Sequence, residues 1–192
     1  MGITEYFLGL MAIVSGLALT DMVSSLHGLL RRFRLVRWDF LPLTLAGVVL
    51  FTVLYGWFVA FMSDWQSMPF WMFVIAVAQM VSLFLAAKAV LPDDDGSRDA
   101  VDLLAHYRSF NRYVWLSLAA LNAFYIINSA AYAGFRGRLD WTLGDSVEQM
   151  IYVALCVALA GVQKMWLHRI VTPALLIVLM AMNGGRVLTG TV

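Results

Sequence analysis

The sequence predicts an all-α integral membrane bundle of six transmembrane helices, and three observations carry that expectation. Of 192 residues, 62% are hydrophobic and 13% charged, with a mean hydropathy of +0.81. A soluble domain is roughly half apolar and about a quarter charged. Six stretches are long enough to cross a hydrocarbon core at ~20 residues each. The basic residues, finally, cluster in alternate connections between those stretches. Little chain remains for a water-soluble unit, so residues 1–192 read as one polytopic membrane domain.

The spans read 5–30, 39–62, 69–91, 109–134, 146–167 and 171–189. The first four have long apolar runs. The last two have shorter ones, Met150–Val162 and Pro173–Met182, so their limits are softer. Ser63-Asp64-Trp65-Gln66-Ser67-Met68-Pro69 reads as a tight hairpin, with Pro69 suited to a helix start. The third connection is the longest and opens with the turn composition Pro92-Asp93-Asp94-Asp95-Gly96. Ser97 is then placed to cap a short helix carrying Val101, Leu104 and Tyr107 on one face, lying on the membrane surface or running into the fourth span. Thr172 and Pro173 read as the cap and first turn of the sixth span, directly after His168 and Arg169.

Orientation follows from the thirteen Lys and Arg. Arg31, Arg32, Arg34, Arg37, Lys88, Arg98, Arg108, Arg112, Lys164 and Arg169 fall on one side; Arg136, Arg138 and Arg186 fall on the other. The positive-inside rule makes the ten cytoplasmic and both termini external. The first span has no basic leader and is too long for a signal-peptide core, so it reads as retained. A membrane-embedded chain of net charge +1 has no basic soluble face for nucleic acid.

Asp21 lies near the middle of the apolar span from Tyr6 to Leu30. A carboxylate at such depth costs at least ~2.5 kcal/mol to insert and marks a partner, a cavity or a pathway. Thr20, Ser24 and Ser25 surround it, and Asn122, Asn128 and Gln79 are the intramembrane groups best able to hydrogen-bond it. On the same helix Ala12, Gly16, Thr20, Ser24 and Gly28 recur every four residues, a small stripe that lets another backbone approach closely. The third connection divides the chain into two halves of three spans, an arrangement compatible with an inverted repeat. Aligning Tyr6 with Tyr113 sets Asp21 on Asn128 at matching depth, although chance explains so weak a match as well.

Other residues have plainer readings. Glu148 and Arg186 suit an external ion pair, with Glu5 nearby. His27, His106 and His168 are expected at the interface; a haem would need facing imidazoles within spans. The acidic run around Asp93 fails the spacing of a calcium loop, so no metal site is expected. Trp38, Trp65, Trp71, Trp115, Trp141 and Trp166 fall near span ends and read as an interfacial belt. The single cysteine, Cys156, reads as a core residue. No nucleophile-and-base motif, zinc motif or phosphate loop occurs, so neither catalytic residues nor a cofactor are expected.

Three segments carry a resemblance: Glu5-Tyr6-Phe7; Gly16-Leu17-Ala18-Leu19-Thr20 with the later Leu29-Leu30-Arg31-Arg32; and His106-Tyr107-Arg108 followed by Asn111-Arg112. Across most of its length the chain resembles a loosely defined group of small multi-pass bacterial inner-membrane proteins with no assigned activity. The resemblance implies an inner-membrane home and no residue roles. The leading functional expectation is a small channel or transporter for an ion or small solute, with Asp21 as its pathway carboxylate. Its rival is a non-catalytic subunit or scaffold of a larger membrane complex, and a weaker alternative is a haem- or pigment-binding protein. The expected partners are membrane lipids and either further copies of the chain or other membrane subunits.

Overall fold

Each long apolar stretch closes its own backbone hydrogen bonds as a helix, the economical solution where water is scarce. The computed structural model describes residues 3–62, 69–93, 100–135 and 146–188, without the side chains of 3–4, 61–62 and 184–188. Among the described residues there are six α-helices: α1 (Ile3–Arg31), α2 (Phe40–Met62), α3 (Phe70–Val90), α4 (Leu103–Phe135), α5 (Val147–Gly161) and α6 (Met165–Leu188). The fold is all-α. Five helices are long and apolar enough to cross a membrane, while α5 has only 15 residues.

The helices start where their first N–H groups find acceptors. Asp39 Oδ1 accepts the Leu41 N–H at 2.9 Å and opens α2, with Pro42 in the first turn, where its missing donor costs nothing. Asp102 Oδ1 accepts the Ala105 N–H at 2.9 Å and opens α4. The expected surface helix is therefore the first turns of α4 itself, capped by Asp102; Ser97 lies outside the described residues. The break between the fifth and sixth spans also moves. It falls at Val162–Lys164, so His168, Arg169, Thr172 and Pro173 all lie inside α6. One proline costs a helix a single hydrogen bond, which neighbouring helices can tolerate, whereas Gln163 and Lys164 favour a polar elbow.

A feature absent from the sequence reading ties the first and third connections together. After a short 3₁₀ turn at Phe33–Leu35, β1 (Val36–Arg37) pairs in parallel with β2 (Val101–Asp102), Val36 opposite Val101. Two residue pairs, Val36 with Val101 and Arg37 with Asp102, thus set the two connections side by side.

α4 is the central element, packed along both α3 and α5; α1 lies on α3 and α2, and α2 carries α6. The main core joins Met22 and Leu29 of α1, Leu45 and Val49 of α2, Leu83 and Ala86 of α3, Trp115 and Leu118 of α4, and Cys156 and Leu159 of α5. At the opposite end Phe7 meets Ala76 and Met80, its ring 6.5 Å from that of Phe73. The outer surface is apolar too, with Ile13, Leu54, Ile127, Ile151 and Ile177 all exposed. A Cβ on Gly47 would stand 3.2 Å from Leu176 Cδ2, so glycine lets α2 and α6 approach closely.

Lengths set the register. At 1.5 Å per residue α3 measures ~32 Å, against ~44 Å for α1 and ~50 Å for α4. α1 and α4 therefore overrun α3, and the side-chain pairs show where they do so.

Candidate functional site

Polar side chains of distant segments converge at the basic end of the bundle. Lys88 Nζ donates to Asp21 Oδ1 at 2.9 Å and to Asp93 Oδ1 at 2.7 Å, joining α1 to the end of α3. The Asp21 side chain keeps 25% of its surface, yet its second oxygen, Oδ2, is buried with no hydrogen-bond partner among the described residues. Lys88 is two residues from the end of α3, so Asp21 lies level with a helix end rather than at mid-depth. The ten residues of α1 beyond it continue for ~15 Å. The sequence reading misplaced Asp21 because it counted from the ends of α1 alone; the neighbouring, shorter helix sets the depth.

The partners expected for Asp21 lie elsewhere. His106 Nε2 is 3.1 Å from the Ala89 carbonyl, which sets that turn of α4 beside the end of α3. Asn122 and Asn128 follow ~24 Å and ~33 Å along α4, toward the opposite end. Asn122 Nδ2 donates to the Leu118 carbonyl at 2.9 Å, and Asn128 is buried with Oδ1 unpaired among the described residues. Gln79, on α3, is half-buried nine residues before Lys88. Asp21 and Asn128 thus sit at opposite ends of the bundle, not at matching depth. Ser25 is buried beside the core, whereas Thr20 and Ser24 face outward.

A second cluster lies deeper and was not anticipated. His168 is fully buried, with Nε2 2.8 Å from the Val162 carbonyl and Nδ1 2.7 Å from the Tyr107 hydroxyl. A carbonyl only accepts, so Nε2 carries the proton and Nδ1 accepts from Tyr107. Trp115 Nε1 donates to the same Tyr107 oxygen at 3.4 Å. Thr172, one turn along α6, is fully buried as well, its Oγ1 without a hydrogen-bond partner among the described residues. This chain of donors fastens α4, α6 and the α5–α6 elbow. It corrects two expectations: His168 is a core residue rather than an interfacial one, and Trp115 is fully buried instead of joining a belt. With both nitrogens of His168 engaged, neither is open to a haem iron. Tyr107 and Trp115 are eight residues apart, on one helical face, a signal that is readable only once α4 is known to begin before Tyr107.

Two further pairs close the same end. Arg169 Nη2 donates to Asp39 Oδ2 at 2.9 Å, its guanidinium 5.7 Å from the centre of the Phe40 ring. Arg37 and Asp102 approach to 3.8 Å beside the β1–β2 pairing. Each bridge connects segments far apart in sequence, and each carboxylate of Asp39 and Asp102 also caps a helix.

The two faces of α1 divide differently from the sequence expectation. Ser15, Ala18, Met22, Ser25 and Leu29 form the buried seam, at the alternating three-and-four spacing of packed helices. Ala12, Gly16, Thr20 and Ser24 of the small stripe are exposed, with Gly28 alone buried, and nothing lies within 4 Å of a Cβ built on Gly16. Among the described residues, those four positions are left uncovered. Glu148 is exposed at the start of α5; its expected partner side chain, Arg186, lies outside the described residues, as do Trp65 and Trp141. His27 is exposed and Cys156 fully buried. Comparison with family models, with curated proteins and with solved structures gives no match.

Proposed function

We propose that this chain is an integral protein of the bacterial inner membrane, its basic end cytoplasmic and both termini external, serving as a non-catalytic scaffold or subunit of a membrane complex. The apolar outer surface and the five long apolar helices support the membrane setting. One observation carries the choice of function: Asp21, the expected pathway carboxylate, is held by Lys88 at the end of α3. Asp39 is likewise held by Arg169, and Tyr107 by His168. These polar groups bind helices to one another, and the core between them is filled by Trp115, Leu118, Leu45 and Val49. A rigid bundle with one outward face of small residues on α1 suits association with a second membrane segment, whether another copy or a different subunit.

The test is Gly16→Leu and Ser24→Leu, followed by native purification in lipid nanodiscs. Open space at Gly16 leaves folding intact, so both variants keep the wild-type melting temperature but lose the associated copy or subunit. A wild type that is monomeric and purifies alone would sink the proposal.

A second reading is favoured by Asp21 Oδ2, which is buried with no hydrogen-bond partner among the described residues. A carboxylate with one oxygen on a lysine and the other awaiting a donor suits proton-linked movement of an ion or small solute. Flux into proteoliposomes, compared between wild type and Asp21→Asn at matched incorporation, separates the readings. Flux that depends on Asp21 establishes a pathway, and silence from both folded proteins supports the scaffold.

A further inference from the structure

At the basic end α4 parts from the α5–α6 elbow and leaves an open cleft of about 680 Å³. Arg108, Asn111 and Arg112 of α4 form one wall; Gly161, Gln163 and Met165 form the other. Arg108 and Arg112 are one helical turn apart and therefore share a face. Both are exposed. The other cations that bridge segments here are engaged: Lys88 by Asp21 and Asp93, Arg169 by Asp39, and Arg37 near Asp102. Arg108 and Arg112 have no carboxylate partner among the described residues, and no acidic side chain lines the cleft. The two guanidinium groups offer N–H donors and positive charge, the complement of a phosphate, while Ser109 and the Gln163 amide beside them can each donate as well as accept.

The surroundings select the kind of phosphate. Phe110 and Tyr113 of α4 and Trp166 of α6 are exposed close to the lining residues in sequence, 45%, 44% and 61% respectively. Exposed aromatic rings at the end of long apolar helices mark the headgroup level of a bilayer. A cleft that opens there presents its arginines to lipid phosphate, while Met165 offers an apolar edge for the glycerol and upper acyl carbons. We propose that this cleft holds the phosphate-bearing headgroup of an anionic phospholipid, between Arg108 and Arg112. The inference rests on the membrane reading above and is independent of whether the bundle is a scaffold or a carrier.

The experiment uses the whole chain in nanodiscs of mixed phosphatidylglycerol and phosphatidylcholine, with lipid retention read by native mass spectrometry. A charge-assisted hydrogen bond to a phosphate contributes on the order of tenfold or more, so Arg108→Gln with Arg112→Gln should lose roughly 100-fold in preference for anionic lipid. Gly161→Leu keeps both arginines and, with nothing within 4 Å of a Cβ there, places an apolar side chain in the mouth of the cleft and narrows it. It should lose the same lipid. As a control for diffuse charge, Arg31→Gln with Arg34→Gln removes two exposed cations that line a separate pocket of the basic end and should lose only the surface share, on the order of fivefold per cation at most. Equal losses in both arginine doubles, or full retention in Gly161→Leu, overturn the cleft. So does displacement of the lipid by millimolar glycerol phosphate, which would mark a site for a soluble phosphate. Failure of the wild type to incorporate at all would instead refute the membrane reading; incorporation without lipid preference counts against the cleft alone.

Discussion

Tyr107→Phe isolates one hydroxyl in a buried polar cluster that joins α4 to α6. Tyr107 is 3% exposed, so phenylalanine fills the same space and leaves no cavity. What is lost is the 2.7 Å bond to His168 Nδ1 and the 3.4 Å bond from Trp115 Nε1. The longer bond lies beyond the usual range and contributes little. His168 has no route to compensate: it is fully buried, and its bond to the Val162 carbonyl fixes the tautomer that leaves Nδ1 as an acceptor. A buried group stripped of its partner costs ~1–3 kcal/mol, so a loss of about 2 kcal/mol is expected. For a chain of this size that is a fall of roughly 4–8 °C in Tm. Circular dichroism during heating in detergent reads it. The control is the same substitution in a His168→Leu background, where the tyrosine hydroxyl has already lost its acceptor and its removal should cost nothing. An equal cost in both backgrounds would refute the pairing, as would a loss below ~0.5 kcal/mol in the wild-type background.

Two other substitutions test how the helices are set. Asp102→Ala removes the cap of α4 and should cost ~1 kcal/mol, whereas Asp102→Asn keeps an acceptor for the Ala105 N–H and recovers most of it; equal effects would mean that the Arg37 charge, not the cap, matters. Gly47→Val drives a branched side chain toward Leu176, 3.2 Å from the first added carbon, and should cost ~1–3 kcal/mol, against a smaller loss for Gly47→Ala. A valine variant as stable as wild type would show that α2 and α6 are not closely packed there.

Periodicity and composition were enough for the elements but not for their partners. Helix positions were readable because an apolar run of ~20 residues imposes its own local solution, whatever surrounds it. Boundaries failed where one polar residue could serve two roles. Thr172 and Pro173 look like a helix start, yet they lie within α6, because the elbow is made by Val162, Gln163 and Lys164. Asp21 was identifiable as the residue needing an explanation, since carboxylates are rare in such a span. Its depth and its partner were not, because both depend on how α3 is placed along α1.

By itself the sequence determined six apolar helices, their order, the concentration of basic residues at one end and the carboxylate of Asp21 inside the apolar run of α1, all of which follow from local composition. Only the tertiary structure decided that Lys88 holds Asp21, that Tyr107 meets His168, that β1 and β2 join two loops, and that the small stripe of α1 faces outward while Ser15, Ala18 and Met22 face in. Local composition limits what each segment can form, but which residues meet depends on the rotation and axial shift of whole helices. Those are set by side-chain packing between segments as many as 130 residues apart, as Asp39 and Arg169 are.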